Sequence, residues 1–229
     1  MKVSVIMSCY NSQETVSKSI ESVLSQTYQD LELLICDDGS IDNTLKILTD
    51  FKKTDSRVKV YKNKKNLGLT KSLNILINES LGTYVARQDD DDFSLSHRIE
   101  MQVVALEDME LDFITSRASI IGKERLIPGL SFYFPISLLM NFKNPFIHGT
   151  LLIKKDILKE LGSYDERFYY AQDYKLFSDL IARGYKYTIL KEPLYKLNVK
   201  DNISSKFIME QDYYAKCVRS NKVPDKFYK

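Results

Sequence analysis

Leu81-Gly82-Thr83-Tyr84-Val85-Ala86-Arg87-Gln88-Asp89-Asp90-Asp91-Asp92 is a short apolar stretch that runs into four consecutive aspartates. Thr83 to Gln88 has the length and composition of a buried strand. Four like charges at its tip repel one another. At an effective dielectric of about 20 and a spacing of about 6 Å, each pair costs roughly 2–3 kcal/mol. On an open, hydrated loop that cost falls to tenths. Lining a cleft, such a run calls for a bound cation.

The same pattern recurs upstream. Val3 to Met7 is apolar and ends at Ser8-Cys9-Tyr10-Asn11-Ser12, with Asn11 or Ser12 placed to cap the next helix. Leu31 to Cys36 stops at Asp37-Asp38-Gly39-Ser40, and Val58 to Tyr61 leads to Asn63 through Gly68. Helical spacing fills the intervals, at Val16, Ile20, Val23 and Leu24, at Leu45, Leu48 and Phe51, and at Leu69, Leu73, Leu76 and Ile77. Short apolar strands alternating with helices of about three turns predict βαβ units, hence an α/β fold on a mainly parallel sheet. Such sheets bind ligands beyond the carboxyl ends of their strands, where all four polar or acidic clusters fall.

The second half is less regular. Strands are expected within Leu111–Ile121, Gly149–Ile153, Tyr185–Leu190 and Leu194–Leu197, with helices over Leu95–Leu106 and Asp173–Ala182. The last helix carries Leu176, Phe177, Leu180 and Ile181 on one stripe, which Asp173 begins. The aromatics between Phe132 and Phe146 read as core, with a lipid-facing surface as the alternative, and Arg98 or His97 as salt-bridge partners of Asp92.

Composition narrows the class. The 229 residues are 44% hydrophobic and 28% charged, ordinary for a soluble globular chain. With 33 basic and 31 acidic residues the net charge is +2, so no field recruits nucleic acid. No stretch approaches the roughly 18 apolar residues of a membrane span. Three cysteines without paired spacing and two histidines exclude a disulfide framework and a histidine-rich metal site. Cys9 and Cys36 are expected to pack as small apolar groups. The chain reads as cytoplasmic, with a basic tail over residues 201–229 that suits peripheral contact with an anionic membrane.

A dinucleotide fold would place a glycine-rich turn where Ser8-Cys9-Tyr10-Asn11-Ser12 stands, and no phosphate loop with Gly-Lys-Ser or Gly-Lys-Thr occurs. Holding phosphates through a hard cation, Mn²⁺ or Mg²⁺ on oxygen ligands, is the remaining common solution. In an extended segment Asp89 and Asp91 face one side and Asp90 the other. A helix–loop–helix calcium site does not fit. Glu100 is twelfth from Asp89, but Phe93 and Ser94 occupy positions that need an oxygen ligand and a glycine.

Taken in order, Val3 to Asn11, Ser25-Gln26-Thr27-Tyr28, Asp37 to Ser40, Asn66-Leu67-Gly68-Leu69, Ala86 to Asp92 and Tyr170-Ala171-Gln172-Asp173-Tyr174 resemble family 2 glycosyltransferases. The resemblance spans roughly residues 1 to 200. It implies the GT-A fold, a Rossmann-like central sheet flanked by helices with a smaller acceptor-binding half. One domain would comprise a nucleotide-sugar half (about 1–92) and an acceptor half (about 93–200). It further implies an inverting, metal-dependent enzyme that uses a UDP-sugar. Ser8, Tyr10 and Asn11 would border uracil and ribose, Asp38 would accept from the uracil N3–H, and Lys71 would approach the donor. Asp89-Asp90-Asp91 would be the Asp-x-Asp motif, with Asp91 and Asp89 toward the metal and Asp89 and Asp90 near the ribose. Asp173 would be the general base, preceded here by Gln172 where relatives carry an acid. His148 would lie on the acceptor side or serve a structural hydrogen bond.

Small members of this kind resemble bacterial enzymes that build O-antigen or capsule repeat units on undecaprenyl diphosphate. Galactose, glucose or N-acetylglucosamine would be the donor sugar, and a carbohydrate or lipid-linked saccharide the acceptor. Two other readings compete: a sugar-nucleotide pyrophosphorylase, which would need a glycine-rich basic loop after the first strand, and a non-catalytic sugar-nucleotide-binding protein.

Overall fold

The structure, a computed structural model, describes residues 2–199 and 207–225. Strands β1 (Val3–Cys9), β2 (Leu31–Asp37), β3 (Val58–Lys62) and β4 (Tyr84–Arg87) lie parallel in the order β3-β2-β1-β4. Helices α1 (Val16–Leu24), α2 (Thr44–Thr54) and α3 (Leu69–Glu79) make the crossovers. β1, β2 and β4 are buried at every residue, as strands covered on both faces must be. Asp42 Oδ1 accepts from the Thr44 amide and caps α2. The first helix begins later than its expected cap, at Val16, and the Thr15 and Val16 amides donate to the Ser12 carbonyl.

Alternation along β1 divides the core. Val3, Val5, Met7 and Cys9 pack with α1, α2 and α4 (Arg98–Asp108), whereas Ile6 packs on the opposite face with α3, α6 (Lys155–Glu160) and α7 (Gln172–Ala182). Cys9 and Cys36 are buried apolar groups, as expected.

The sheet continues across the middle of the chain. β8 (Leu152–Lys154) pairs antiparallel with β4 and with β6 (Phe113–Ile120). β6 runs parallel to β9 (Tyr187–Leu197), and β9 closes antiparallel on the short β5 (Phe93–Ser94). The two strands expected around Pro193 are thus one. Pro193 sits opposite Arg117 where the register shifts, a bulge that tolerates its missing N–H. β7 (Lys123–Ile127) pairs only with β6, outside the main path.

One expectation fails. Tyr133, Phe134 and Phe142 are exposed, and among these aromatics only Phe146 is buried. Ile136 and Met140 of the segment around α5 (Ile136–Leu139) take the core contact, which turns Leu138 and Phe142 outward. The expected basic tail contains α8 (Ile208–Arg219), packed on the molecule through Tyr214, Cys217 and Val218. Lys206, Lys226 and Lys229 lie outside the described residues.

Candidate functional site

The loops after β1, β2, β3 and β4 converge at one edge. Asn11, at φ 53°, joins two of them: its amide donates to Ser40 Oγ (3.0 Å), and its Oδ1 accepts from the Ile41 amide (2.9 Å). Asp38 is buried and anchors the third. Its oxygens accept from Asn63 Nδ2 (2.7 Å), the Leu67 amide (2.8 Å) and the Gly68 amide (2.9 Å). A carboxylate offers about four acceptor directions, so one remains for a ligand. Gly68, at φ 92°, lies under the Tyr169 ring, which a Cβ would approach to 2.6 Å. Tyr169 feels the charges of Asp38 and Tyr10, so these three groups border one corner. Ser8 is buried one residue before Cys9 ends β1, Tyr10 is exposed, and Lys71 is exposed in the first turn of α3.

The acidic loop is stapled from within. Gln88, fully buried, donates through Nε2 to Ser19 Oγ and to the carbonyls of Asp89 and Asp92, and accepts from Ser94 Oγ. Arg98 does not pair with Asp92. Its buried guanidinium donates to Gln88, Ser94, Gln102 and the carbonyls of Arg87 and Leu151, while His97 is exposed. Asp90 and Asp91 form a turn, so the expected strand-like alternation of Asp89 and Asp91 does not apply. Asp89 Oδ1 pairs with buried Arg87 at 2.6 Å, which occupies one of the oxygens assigned to a metal.

A comparison of buried acids singles this loop out. Burial raises Glu32 at the other end of the sheet, but Lys59, Ser4, the Leu81 amide and Lys2 outweigh it and bring the carboxyl down to about 2. The loop acids lack that compensation. Burial and neighbouring aspartates push Asp90 up to about 6, Asp91 to about 7 and Asp92 to about 9. Uncompensated acids in a cleft mark functional sites more often than structural ones.

Ala171 adopts a left-handed conformation (φ 52°) and launches α7. Asp173, in its first turn, accepts from Asn144 Nδ2 at 2.8 Å. Leu176, Phe177 and Leu180 are buried on the expected stripe. His148 Nε2 shares a 2.6 Å hydrogen bond with Tyr164 Oη. Burial and the Arg87 charge lower the imidazole to about 4, so it is neutral at physiological pH.

Sequence reasoning missed Arg87, Asn144, Tyr164, Tyr169, Tyr195 and Gly149. Apart from Arg87, whose partner Asp89 is two residues on, each meets a partner far along the chain, so no local pattern announces it. Gly149 has no room for a side chain: a Cβ would stand 2.6 Å from Tyr195 Oη and 2.7 Å from Asp89 Oδ2. Tyr195 Oη in turn accepts from the Asp89 amide (3.0 Å). Gly149→Ala is expected to cost about 1–3 kcal/mol of stability, or roughly 2–4 °C of Tm per kcal/mol. Thermal denaturation checks it, and an unchanged Tm would remove this contact as a constraint.

Among the described residues no three His, Cys, Asp or Glu side chains form a ready-made cage for an ion. A Mg²⁺ or Mn²⁺ site does not require one, because these ions are held by one or two carboxylates plus substrate phosphates and water. The crowded, undercompensated oxygens of Asp90 and Asp91 fit that donor set.

The sequence profile of Glycosyl transferase family 2 matches residues 4–162. EpsE of Bacillus subtilis (strain 168) is 36% identical over 205 residues, covering 86% of this chain and 72% of that protein. WfaP of Escherichia coli, named as a UDP-Glc:alpha-D-GlcNAc-diphosphoundecaprenol beta-1,3-glucosyltransferase, is 30% identical over 209 residues, covering 90% and 81%. The crystal structure of Staphylococcus aureus TarS 1-349 in complex with UDP superposes with a TM-score of 0.78 at 19% identity, covering all of this chain and 67% of that one.

Proposed function

Because the chain belongs to glycosyl transferase family 2, we propose that it transfers a hexose or N-acetylhexosamine from a UDP-sugar, with inversion, to a saccharide on a lipid diphosphate. The observation that carries this reading is an undercompensated carboxylate loop and a separately oriented carboxylate, Asp173, beside the same His148–Tyr164 pair, which feels the charges of both Asp89 and Asp173. The relatives' names support the donor and acceptor class. Residues 1–92 act as the donor half and 93–200 as the acceptor half of one domain.

Uracil lies in the corner of Asp38, Tyr10 and Tyr169, with Ser8 and Asn11 toward the ribose and Lys71 toward the donor. Asp91 and Asp90 would hold the divalent ion, and Asp89 stays with Arg87. When bound, that ion supplies charge neutralisation to the departing diphosphate. Asp173 takes the proton from the acceptor hydroxyl as its oxygen bonds to the anomeric carbon, while the bond to UDP breaks and UDP leaves with the electron pair. Asn144 occupies Asp173 Oδ2, leaving Oδ1 for the proton. Neutral His148, fixed by Tyr164, positions the acceptor side without competing for that proton.

Among the described residues no helix is long and apolar enough to cross a membrane. A lipid-linked acceptor would therefore be met at the bilayer surface. Incubation with UDP-glucose, UDP-galactose and UDP-N-acetylglucosamine, with and without Mn²⁺, tests the reading. One donor should release UDP slowly alone and much faster with a saccharide-diphosphate lipid. Release unaffected by Mn²⁺, or by every such acceptor, would defeat it.

A further inference from the structure

We infer that Arg125 and Lys143 form a phosphate-binding subsite for the diphosphate of an isoprenoid-linked acceptor, with the neighbouring apolar ridge receiving its lipid chain. The inference rests on the lipid-linked acceptor reading above and deepens it. Both cations line a cavity of about 170 Å³ with Gly129, Ser131, Asn144 and Phe146 among its walls. That is room for roughly five waters. Among the described residues neither cation has a carboxylate partner, and Lys143 Nζ only donates to Ser131 Oγ at 3.3 Å.

A second cavity differs in its charge balance. It measures about 620 Å³ between residues 161–167 and α7. Its cations are all paired, Arg167 with Asp165 (2.7 Å), Lys175 with Asp179 (2.5 Å) and Arg183 with Glu160 (3.8 Å). By contrast, from Phe113 to Ile153 the chain carries Arg117, Lys123, Arg125 and Lys143 against one acid, Glu124. The local surplus is cationic and suits a multiply charged anion.

Position makes that anion an acceptor group. Asn144 lines the small cavity and donates to Asp173, so the cavity adjoins the proposed base. Around it the same segment exposes Leu130 (83%), Tyr133 (69%), Phe134 (57%), Leu138 (51%) and Phe142 (70%). So many large apolar side chains in thirteen residues, beside unpaired cations, match the two ends of an isoprenoid diphosphate. A soluble saccharide acceptor would use neither.

Calorimetry with farnesyl diphosphate as probe tests the subsite, with UDP and Mn²⁺ saturating so that the donor site is filled. Arg125→Glu with Lys143→Glu should weaken the probe at least tenfold and leave UDP affinity unchanged, which also reports that the variant is folded. Leu138→Ser with Phe142→Ser should weaken farnesyl diphosphate severalfold but not inorganic pyrophosphate, separating lipid from phosphate recognition. Equal probe affinity in the charge-reversed variant, or no binding to the wild type with UDP present, overturns the inference. If the charge contrast holds in a chain that transfers sugar to no lipid-linked acceptor, the anion subsite stands and the broader reading falls.

Discussion

Asp173→Asn is expected to lower turnover about 10²–10⁴-fold, the usual worth of a positioned base, while UDP binding stays within a factor of two or so. The substitution is nearly isosteric. Its amide oxygen can still accept from Asn144, so the helix start and the cleft wall persist. What disappears is the capacity to take a proton. His148 cannot substitute, because its buried imidazole is tied to Tyr164 and shares the space with Arg87. Turnover with the best donor and acceptor, beside calorimetry with UDP and Mn²⁺, reads both halves of the expectation. Turnover within about threefold of wild type would remove Asp173 from the chemistry.

Asp91→Asn should do the opposite to stability and activity. Burial and the charges of Asp89 and Asp90 hold the Asp91 carboxyl near 7, above the ordinary range of about 4. A carboxyl raised in the folded state stabilises the fold below about pH 4, and that contribution is lost as pH rises through 7. At neutral pH the ligand-free protein therefore carries a penalty on the order of 1–3 kcal/mol once solvent screening is allowed for. Asparagine carries none, so the variant should melt higher without metal, and most clearly above pH 7. It should also lose Mn²⁺-stimulated UDP binding and turnover by about 10²-fold or more. A lower Tm than wild type in the metal-free state would contradict the charge-crowding account.

The first half of the chain was legible because its signals are local. Three of its four parallel strands are buried along their whole length, each helix keeps its period, and the polar clusters fall where the chain leaves the sheet. The acceptor side was not. Asn144 meets Asp173 and Gly149 meets Tyr195 across long sequence separations, and residue type does not encode such meetings. The aromatic segment misled for a related reason. Hydrophobicity does not carry depth, and once Ile136 and Met140 claimed the core, Leu138 and Phe142 had no inner face left. Alternation failed at Asp89–Asp91 because the chain turns there rather than extending.

The chain leaves the main path of the sheet after Ile120 and returns near Phe146, and its two ends are tied together because Thr150 Oγ1 accepts from the Ser116 amide and donates to the Ser116 carbonyl. A detour closed at its base can change length and content at small entropic cost to the framework. It nevertheless carries Asn144 to Asp173 and His148 to Tyr164. On the function proposed above, acceptor contacts would thus sit on a segment whose length can vary while the parallel strands stay as they are.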